Sequence, residues 1–302
     1  MAENRKDKLK IDHILSGLIH DGKFRCAIAV VTDTVREAQK RHNTDPLATI
    51  ALGRALAAAA LVGSNLKEQF EYVSLSFLGN GPLRHVVSEF IAPGSLRGYV
   101  THPQLSEVID DPKNAPRTVG EALGIGTLTV RRALSGDMQA YSGVSVMVTG
   151  EIGEDLAQYY VESEQIPTSV MVGVKLDSQG QVIAAGGILV QKMGSSEDVE
   201  ELLADLEQRL SQIPSISTLI AESHDAKLIF QTVTANAEAQ ELDIRPVSFQ
   251  CLCSRDRMAL SLRTLDKTEI EQLYQEIGKL EVTCHYCRNS YQFSLDEIIG
   301  LH

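Results

Sequence analysis

Four of the five cysteines stand in two close pairs, Cys251-Leu252-Cys253 and Cys284-His285-Tyr286-Cys287, with thirty residues between the pairs. Zinc takes four soft or borderline donors in a tetrahedron, with sulfur at ~2.3 Å. In an extended segment residues two apart point to the same side, so Cys251 and Cys253 both reach one metal. The C-x-x-C turn supplies the opposite edge of the tetrahedron. A four-thiolate Zn2+ site, one ion per chain in the reduced protein, is therefore expected at Cys251, Cys253, Cys284 and Cys287. His285, inside the second pair, is the alternative ligand, though it reads better as a partly exposed knuckle side chain. Cys26, far from the others, reads as a small buried residue without a redox role.

Such a site serves either as a staple or as a switch. The segment from Pro246 onward has 57 residues and few large apolar side chains, so it needs a staple. Bound zinc supplies ~10–16 kcal/mol of apparent folding free energy to a unit of this kind. The same magnitude suits a switch, because oxidising the thiolates removes it. Metal binding keeps the sulfurs deprotonated and open to oxidants wherever access allows. Each pair is close enough to close on itself, and a Cys251–Cys253 disulfide is a tight, strained loop that is easily reduced. The residues alone leave both readings open.

The elements around the cysteines follow from apolar spacing. Met258, Leu262 and Leu265 suggest one short helix. Thr268 with Glu271 reads as a capping box opening a second, with Ile270, Leu273, Tyr274 and Ile277 on or near one face and Gly278 as its stop. Upstream, residues 195–245 carry eleven acidic and three basic residues. In that stretch Val199, Leu202, Leu203, Leu206, Leu210 and Ile213 fall at helical spacing before Pro214. The segment reads as an acidic helical linker with one apolar stripe, which must cover something.

Before it, from about Lys23 to Lys192, strand-like and helix-like stretches alternate. Val73, Leu75 and Phe77 alternate with serines as in a half-buried strand, and Val144, Val146 and Val148 repeat the pattern. Two strands, Val170–Leu176 and Val182–Val190, flank the turn Asp177-Ser178-Gln179-Gly180. Helices are expected over 34–42 and 47–66, the latter Ala-rich with Pro46 near its start. The fold class is α+β, with an N-terminal mixed α/β core domain (1–194), a helical linker (195–245) and a small C-terminal zinc-binding domain (246–302).

Bulk composition fits this reading. Of 302 residues, 43% are hydrophobic and 23% charged, as in a globular chain rather than a disordered one. The net charge of −12 disfavours nucleic acid and anionic lipid as partners. The N-terminus alternates charged and apolar residues, unlike a signal peptide, and the longest apolar run, Ala55 to Val62, is short of the ~20 residues that span a bilayer. A cytoplasmic protein with no membrane partner is expected, and paired cysteines in a reducing compartment suggest metal before disulfides.

A C-x-C and a C-x-x-C about thirty residues apart, ending a chain of about 300, resemble the heat-shock protein 33 family. The resemblance extends through DTVREAQKRHNTDPLATIALGRALAAAAL (33–61), GNGPLR (79–84), SEQIPTSVMVGV (163–174) and AAGGILVQ (184–191). It implies a redox-regulated molecular chaperone, a holdase independent of ATP. In the family's reduced form zinc-bound thiolates keep the C-terminal redox-switch domain folded and the chaperone inactive. Oxidation with unfolding stress converts each pair to a disulfide and releases zinc. The linker then loses structure, and the protein, often as a homodimer, captures unfolding client proteins. Carried over by position, the disulfides are Cys251–Cys253 and Cys284–Cys287. On this reading the stripe at Leu202, Leu203 and Leu206 is a latch that packs on the core until activation.

Three rival readings lack the residues they need. A zinc module for nucleic acid lacks a basic stripe, since the segment from Pro246 has six basic and eight acidic residues. A thioredoxin-like site lacks room for the sheet that must follow its motif, with fifteen residues after Cys287. An N-terminal enzyme lacks a recognisable set: Asp33, His42 and Glu89 make none. The pairs Gly79/Gly81 and Gly186-Gly187 read as turns or close strand packing and not as a nucleotide loop. No enzyme activity is expected. A zinc-stapled, constitutive protein-interaction module is the remaining alternative.

Overall fold

The structure, a computed structural model, describes residues 11–134, 140–194, 199–234, 237–262 and 266–300. Contacts divide the chain into two units, Met1–Phe249 and Gln250–His302. The first opens with a hairpin of β1 (His13–Ile19) and β2 (Phe24–Val30), then α1 (Thr32–His42) and α2 (Pro46–Gly63). A meander of β3 (Tyr72–Gly79), β4 (His85–Ile91) and β5 (Ser95–Val100) leads through α3 (Val119–Leu123) to β6 (Gly126–Ala133) and β7 (Tyr141–Val146). Next come α4 (Gly153–Tyr159), the hairpin β8 (Thr168–Leu176) and β9 (Val182–Lys192), and three helices, α5 (Glu200–Gln212), α6 (Ile216–Ser223) and α7 (Ala226–Thr234). The strands β10 (Ala239–Pro246) and β11 (Ser248–Phe249) close the unit. One sheet has the order β10-β1-β2-β9-β8, and the other β11-β5-β4-β3-β6-β7.

Both sheets pack on α2. Asp45 caps it, Oδ1 accepting from the Ala48 amide at 2.8 Å, and Pro46 fills the first turn. Its fully buried alanines, with Leu52, Leu56 and Leu61, share one core with Ala27, Ala29 and Leu189 of the first sheet and Val73, Leu75, Phe77 and Phe90 of the second. Alanine gives helix propensity without bulk, which lets two sheets close on one helix. Over its 18 residues α2 reaches a mean hydropathy of 1.6, enough by length and composition to cross a membrane. Because 78% of it is buried inside the protein, that apolarity is accounted for by the core. Its one internal charge, Arg54, pairs with Glu151. No basic residue lies in its last turn. Arg245 of β10 supplies one instead, donating to the carbonyls of Gly63, Ser64 and Leu66.

The glycine pairs are sites of close approach. A Cβ on Gly186 would meet the Ala29 carbonyl at 2.0 Å, and one on Gly79 the Leu123 carbonyl at 1.9 Å. The turn at 177–180 forms as expected, with Asp177 Oδ1 accepting from the amides of Gln179 and Gln181 and Gly180 at φ 79°.

Two expectations for this unit are corrected. Val144, Val146 and Val148 were expected to face a core, yet they are 58%, 63% and 66% exposed, and Ser145 and Met147 turn inward. Alternation shows that two faces differ, and not which is inside. Here the inner side leaves little room: a Cβ on Gly143 would lie 2.5 Å from the Tyr159 hydroxyl. In the 195–245 segment, residues 195–198 lie outside the described residues, and helix ends at Thr234. Residues 239–246 form a strand on the open edge of β1. Its alternation, Leu242-Asp243-Ile244-Arg245, was hidden beneath a charge count taken over the whole segment.

The three helices cover the outer face of the first sheet. Leu15, Ile19, Phe24, Ile28, Ile188 and Val190 make a second core with Val199, Leu206, Leu210, Ile216, Ile220, Phe230 and Val233.

One buried acid gives this unit a pH signature. Asp12, 5% exposed, accepts from the amides of Asp33 (3.1 Å) and Thr34 (2.6 Å) at the start of α1. Burial outweighs these hydrogen bonds and raises its pKa from 3.8 to about 6. The folded state thus holds this proton more tightly than the unfolded one. The stabilisation is full below pH ~4 and is lost as pH rises through about 6. In chemical denaturation, wild type minus Asp12→Asn should fall by up to ~3 kcal/mol across that interval. A flat difference assigns Asp12 a normal pKa.

The second unit holds α8 (Arg255–Leu262), α9 (Lys267–Ile277), the hairpin β12 (Leu280–Thr283) and β13 (Ser290–Phe293), and α10 (Leu295–Ile299). Its core is small: Ala259, Ile270, Leu280, Phe293 and Ile298, with Met258, Leu262 and Tyr274 partly buried against it. Leu265 lies outside the described residues. The expected capping box at Thr268/Glu271 is corrected to Asp266/Glu269. Asp266 accepts from the Thr268 amide (2.8 Å), and Glu269 accepts from the Asp266 amide (3.2 Å). Asp outcompetes Thr as a cap because its carboxylate also suits the positive end of the helix. The helix stops at Gly278 as expected, at φ 76°. Ile277 is 61% exposed and so does not share the buried face of Ile270.

Candidate metal centre

Cys251 and Cys253 lie in the irregular stretch between β11 and α8, while Cys284 and Cys287 lie in the turn joining β12 to β13. That turn is closed by Cys284 N–H donating to Asn289 O (2.9 Å) and Arg288 N–H to Cys284 O (2.8 Å), with Arg288 at φ 61°. At its base Thr283 pairs with Ser290 across the hairpin. The C-L-C stretch is held by Arg257, whose Nη1 donates to Leu252 O at 2.9 Å. Arg255 ties α8 to the hairpin and to α10: it donates to Gln292 O (2.9 Å), pairs with Glu297 (2.9 Å) and lies 4.6 Å from the Phe293 ring centroid.

These elements bring the four Sγ atoms within 4.8 Å of one another. Cys251 and Cys284 are 3.7 Å apart, and Cys253 and Cys287 3.3 Å. A tetrahedron with ~2.3 Å metal–sulfur bonds has edges of ~3.8 Å, so the donors fit a tetrahedral thiolate ion such as zinc. The charges also call for a cation. Burial raises the Cys287 thiol well above its usual range, and its bonded and charged cysteine neighbours add to the shift. For Cys253 burial also pushes upward, but hydrogen bonds from Tyr291 and the other three cysteines outweigh it and bring the thiol down. A dication among these sulfurs would favour the thiolate form at both Cys253 and Cys287. Four protein donors leave no open position, as in structural sites and unlike catalytic ones.

Exposure is graded. Cys284 and Cys287 are 6% and 2% exposed, whereas Cys251 and Cys253 are partly open to solvent. His285 is exposed and lies outside the group of four. Cys26 is fully buried in the first unit, which raises its thiol to about 12. Asp33 pairs with Arg36 and Glu89 with Arg97, and neither acid belongs to the group of four cysteines. Of the apolar stripe on α5, Leu206 is 1% exposed, and Leu202 and Leu203 are partly buried against the same core. Sequence reasoning missed Tyr291, whose hydroxyl lies 3.2 Å from Cys253 Sγ. Its signal was the alternation of Tyr291 and Phe293 along a short strand after the knuckle.

An α+β unit built on a buried helix is thus followed by a small unit whose four clustered cysteines could hold a metal ion. The chain belongs to the Hsp33 family, whose model, described as Hsp33 protein, matches residues 12–294. The 33 kDa chaperonin of Desulforamulus reducens is 38% identical over 288 residues, covering 95% of this chain and 96% of that protein. The 33 kDa chaperonin of Bacillus subtilis is 36% identical over 292 residues, covering 96% and 98%. The crystal structure of the 33 kDa chaperonin (heat shock protein 33 homolog) from Thermotoga maritima matches with a TM-score of 0.84 at 34% identity, covering 96% of this chain and 97% of that one. The family is one of chaperones and not of enzymes.

Proposed function

We propose that this chaperone is an ATP-independent holdase regulated by oxidation at Cys251, Cys253, Cys284 and Cys287. The observation that carries the reading is the four-sulfur cluster at the end of a chaperone-family chain. Zinc bound there neutralises the thiolates and supplies most of the folding free energy of residues 246–302. Oxidation of Cys251–Cys253 and Cys284–Cys287 to disulfides leaves no thiolate to hold a cation, and the small core of this unit is too slight to stay folded alone. Residues 1–194 serve as the chaperone core and 195–245 as the linker. The partners are unfolding client proteins, bound by a cytoplasmic chain that dimerises when oxidised. The net charge of −12 argues against nucleic acid.

Zinc content, thiol count and suppression of client aggregation, measured before and after peroxide under mild heat, test this reading. The reduced protein should carry one zinc per chain, with four sulfurs at ~2.3 Å in the X-ray absorption spectrum. It should suppress aggregation only after oxidation, without ATP. Equal suppression by both forms reduces the centre to a staple, and nitrogen or oxygen in the first shell promotes His285 to ligand.

A further inference from the structure

Tyr291 is the one polar side chain on β13 that reaches the sulfur cluster among the contacts described, its hydroxyl 3.2 Å from Cys253 Sγ. It stands on a strand paired to β12 in full register, Val282 opposite it, so its position is fixed by the hairpin that also carries Cys284 and Cys287. A metal-bound thiolate has no proton to give, so the phenol must donate and the sulfur accept. Cys253 is also one of the two sulfurs less shielded from solvent. Exposure would favour its attack on an oxidant, and a hydrogen bond drawing density from the sulfur opposes it.

We propose that Tyr291 is a positioning residue that restrains Cys253: its O–H···S hydrogen bond lowers the nucleophilicity of the more exposed thiolate and slows its oxidation. The inference rests on the redox reading above. The restrained step is attack of the Cys253 sulfur on hydrogen peroxide. The sulfur gives an electron pair to one peroxide oxygen, the O–O bond breaks, and hydroxide leaves and is protonated to water. The resulting sulfenic acid is attacked by a neighbouring thiolate, a second hydroxide leaves as water, and a disulfide remains. Two sulfurs are oxidised and one peroxide is reduced to two waters.

Hydrogen bonds to metal-bound ligands alter their basicity. Nucleophilicity follows basicity with a slope of ~0.5, so a tenfold to hundredfold change in basicity becomes about three- to tenfold in rate. Tyr291→Phe keeps the ring and removes the donor. In zinc-loaded protein under limiting peroxide, differential alkylation resolved by mass spectrometry should show Cys253 oxidised about three- to tenfold faster than in wild type, with the initial rates at Cys284 and Cys287 unchanged. Without oxidant, transfer of zinc to a chelator should be no faster, because a more basic sulfur holds the cation at least as well. In the cadmium-113 form the resonance should move, since one sulfur has lost a hydrogen bond.

A purely structural role gives the opposite signature: faster zinc loss without oxidant and equal acceleration at all four cysteines. That result, or an unchanged Cys253 rate, overturns the proposal. Because cadmium resonance and chelator transfer are read without peroxide, a variant that fails to fold is recognised directly. Tyr291→Trp, bulkier but carrying an N–H donor, then gives a second reading, and a Cys253 rate as fast as in the Phe variant also counts against the proposal. If wild-type protein keeps its zinc under peroxide, the redox reading itself fails. If wild type loses zinc and Tyr291→Phe matches it at Cys253, only this inference fails.

Discussion

On the zinc reading, stripping the metal from the reduced protein should unfold the unit 250–302 and leave the fold of the first unit standing. Among the described residues the apolar core of the second unit has five buried side chains, Ala259, Ile270, Leu280, Phe293 and Ile298, only three of them larger than valine and aliphatic. So small a core does not hold a unit of about fifty residues together unaided. The sulfur centre is the other source of folding free energy, where ~10–16 kcal/mol is available to a bound zinc. Hairpin and helix caps help locally, at ~1 kcal/mol each, and cannot replace it. By contrast, the first unit is built on two cores that contain no metal-ligating cluster among the described residues. Hydrogen exchange on chelator-treated protein should therefore show α9, β12 and β13 unprotected and α2, β3 and β9 unchanged. Cys287→Ser should do the same at neutral pH, since a hydroxyl does not ionise to replace the lost thiolate. Persistent protection of α9 in metal-free, reduced protein would mean that the apolar core suffices and that oxidation needs another route to act.

The sequence was most informative where one chemistry demands one spacing. C-x-C and C-x-x-C can bring four sulfurs together in few ways, and those sulfurs do converge within 4.8 Å. The β3 alternation, the 177–180 turn and the Gly278 stop were legible for the same reason, each resting on a local rule. What failed depended on distant neighbours. Val144 and Val146 face outward because Tyr159, brought in by α4, leaves no space on the other side of β7. Residues 239–246 become a strand because β1 offers an edge more than two hundred residues earlier. Tyr291 comes beside Cys253 only because the hairpin places it there, a relation between residues 38 apart in sequence. The capping box was misplaced by two residues because Asp266 and Thr268 both make plausible caps, and charge at the helix end decided between them.

Leu206→Ala is expected to release α5 and to give chaperone activity with zinc still bound. Of the three leucines proposed as a latch, Leu206 alone is fully buried, at 1% exposure, while Leu202 and Leu203 are partly buried beside it. Truncating a buried leucine costs ~2–5 kcal/mol, whereas the partly buried Leu203 should cost roughly half as much. Such a loss matters most where little else holds an element. The neighbouring helices lie close along strands, α6 on β9 and β8 and α7 on β1 and β2, while α5 stands further from every strand and reaches the core through side chains. It is thus the helix of the three whose release is expected to cost least. Under the latch reading, its departure uncovers part of the apolar face formed by Leu15, Phe24, Ile28 and Ile188. In reduced, zinc-loaded Leu206→Ala protein, amide exchange in α5 should accelerate at least thirtyfold, the equivalent of ~2 kcal/mol. Exchange in α2 and zinc content should match wild type, and aggregation suppression should rise to part of the oxidised level. Leu203→Ala should show the same pattern at smaller amplitude, which ties the response to burial on one stripe. If Leu206→Ala loosens α5 without any gain in reduced-state activity, the helix is only a connector and the control lies wholly at the cysteines. If activity rises only as zinc is lost, the mutation has acted through the metal centre and α5 is not the element that holds the protein inactive.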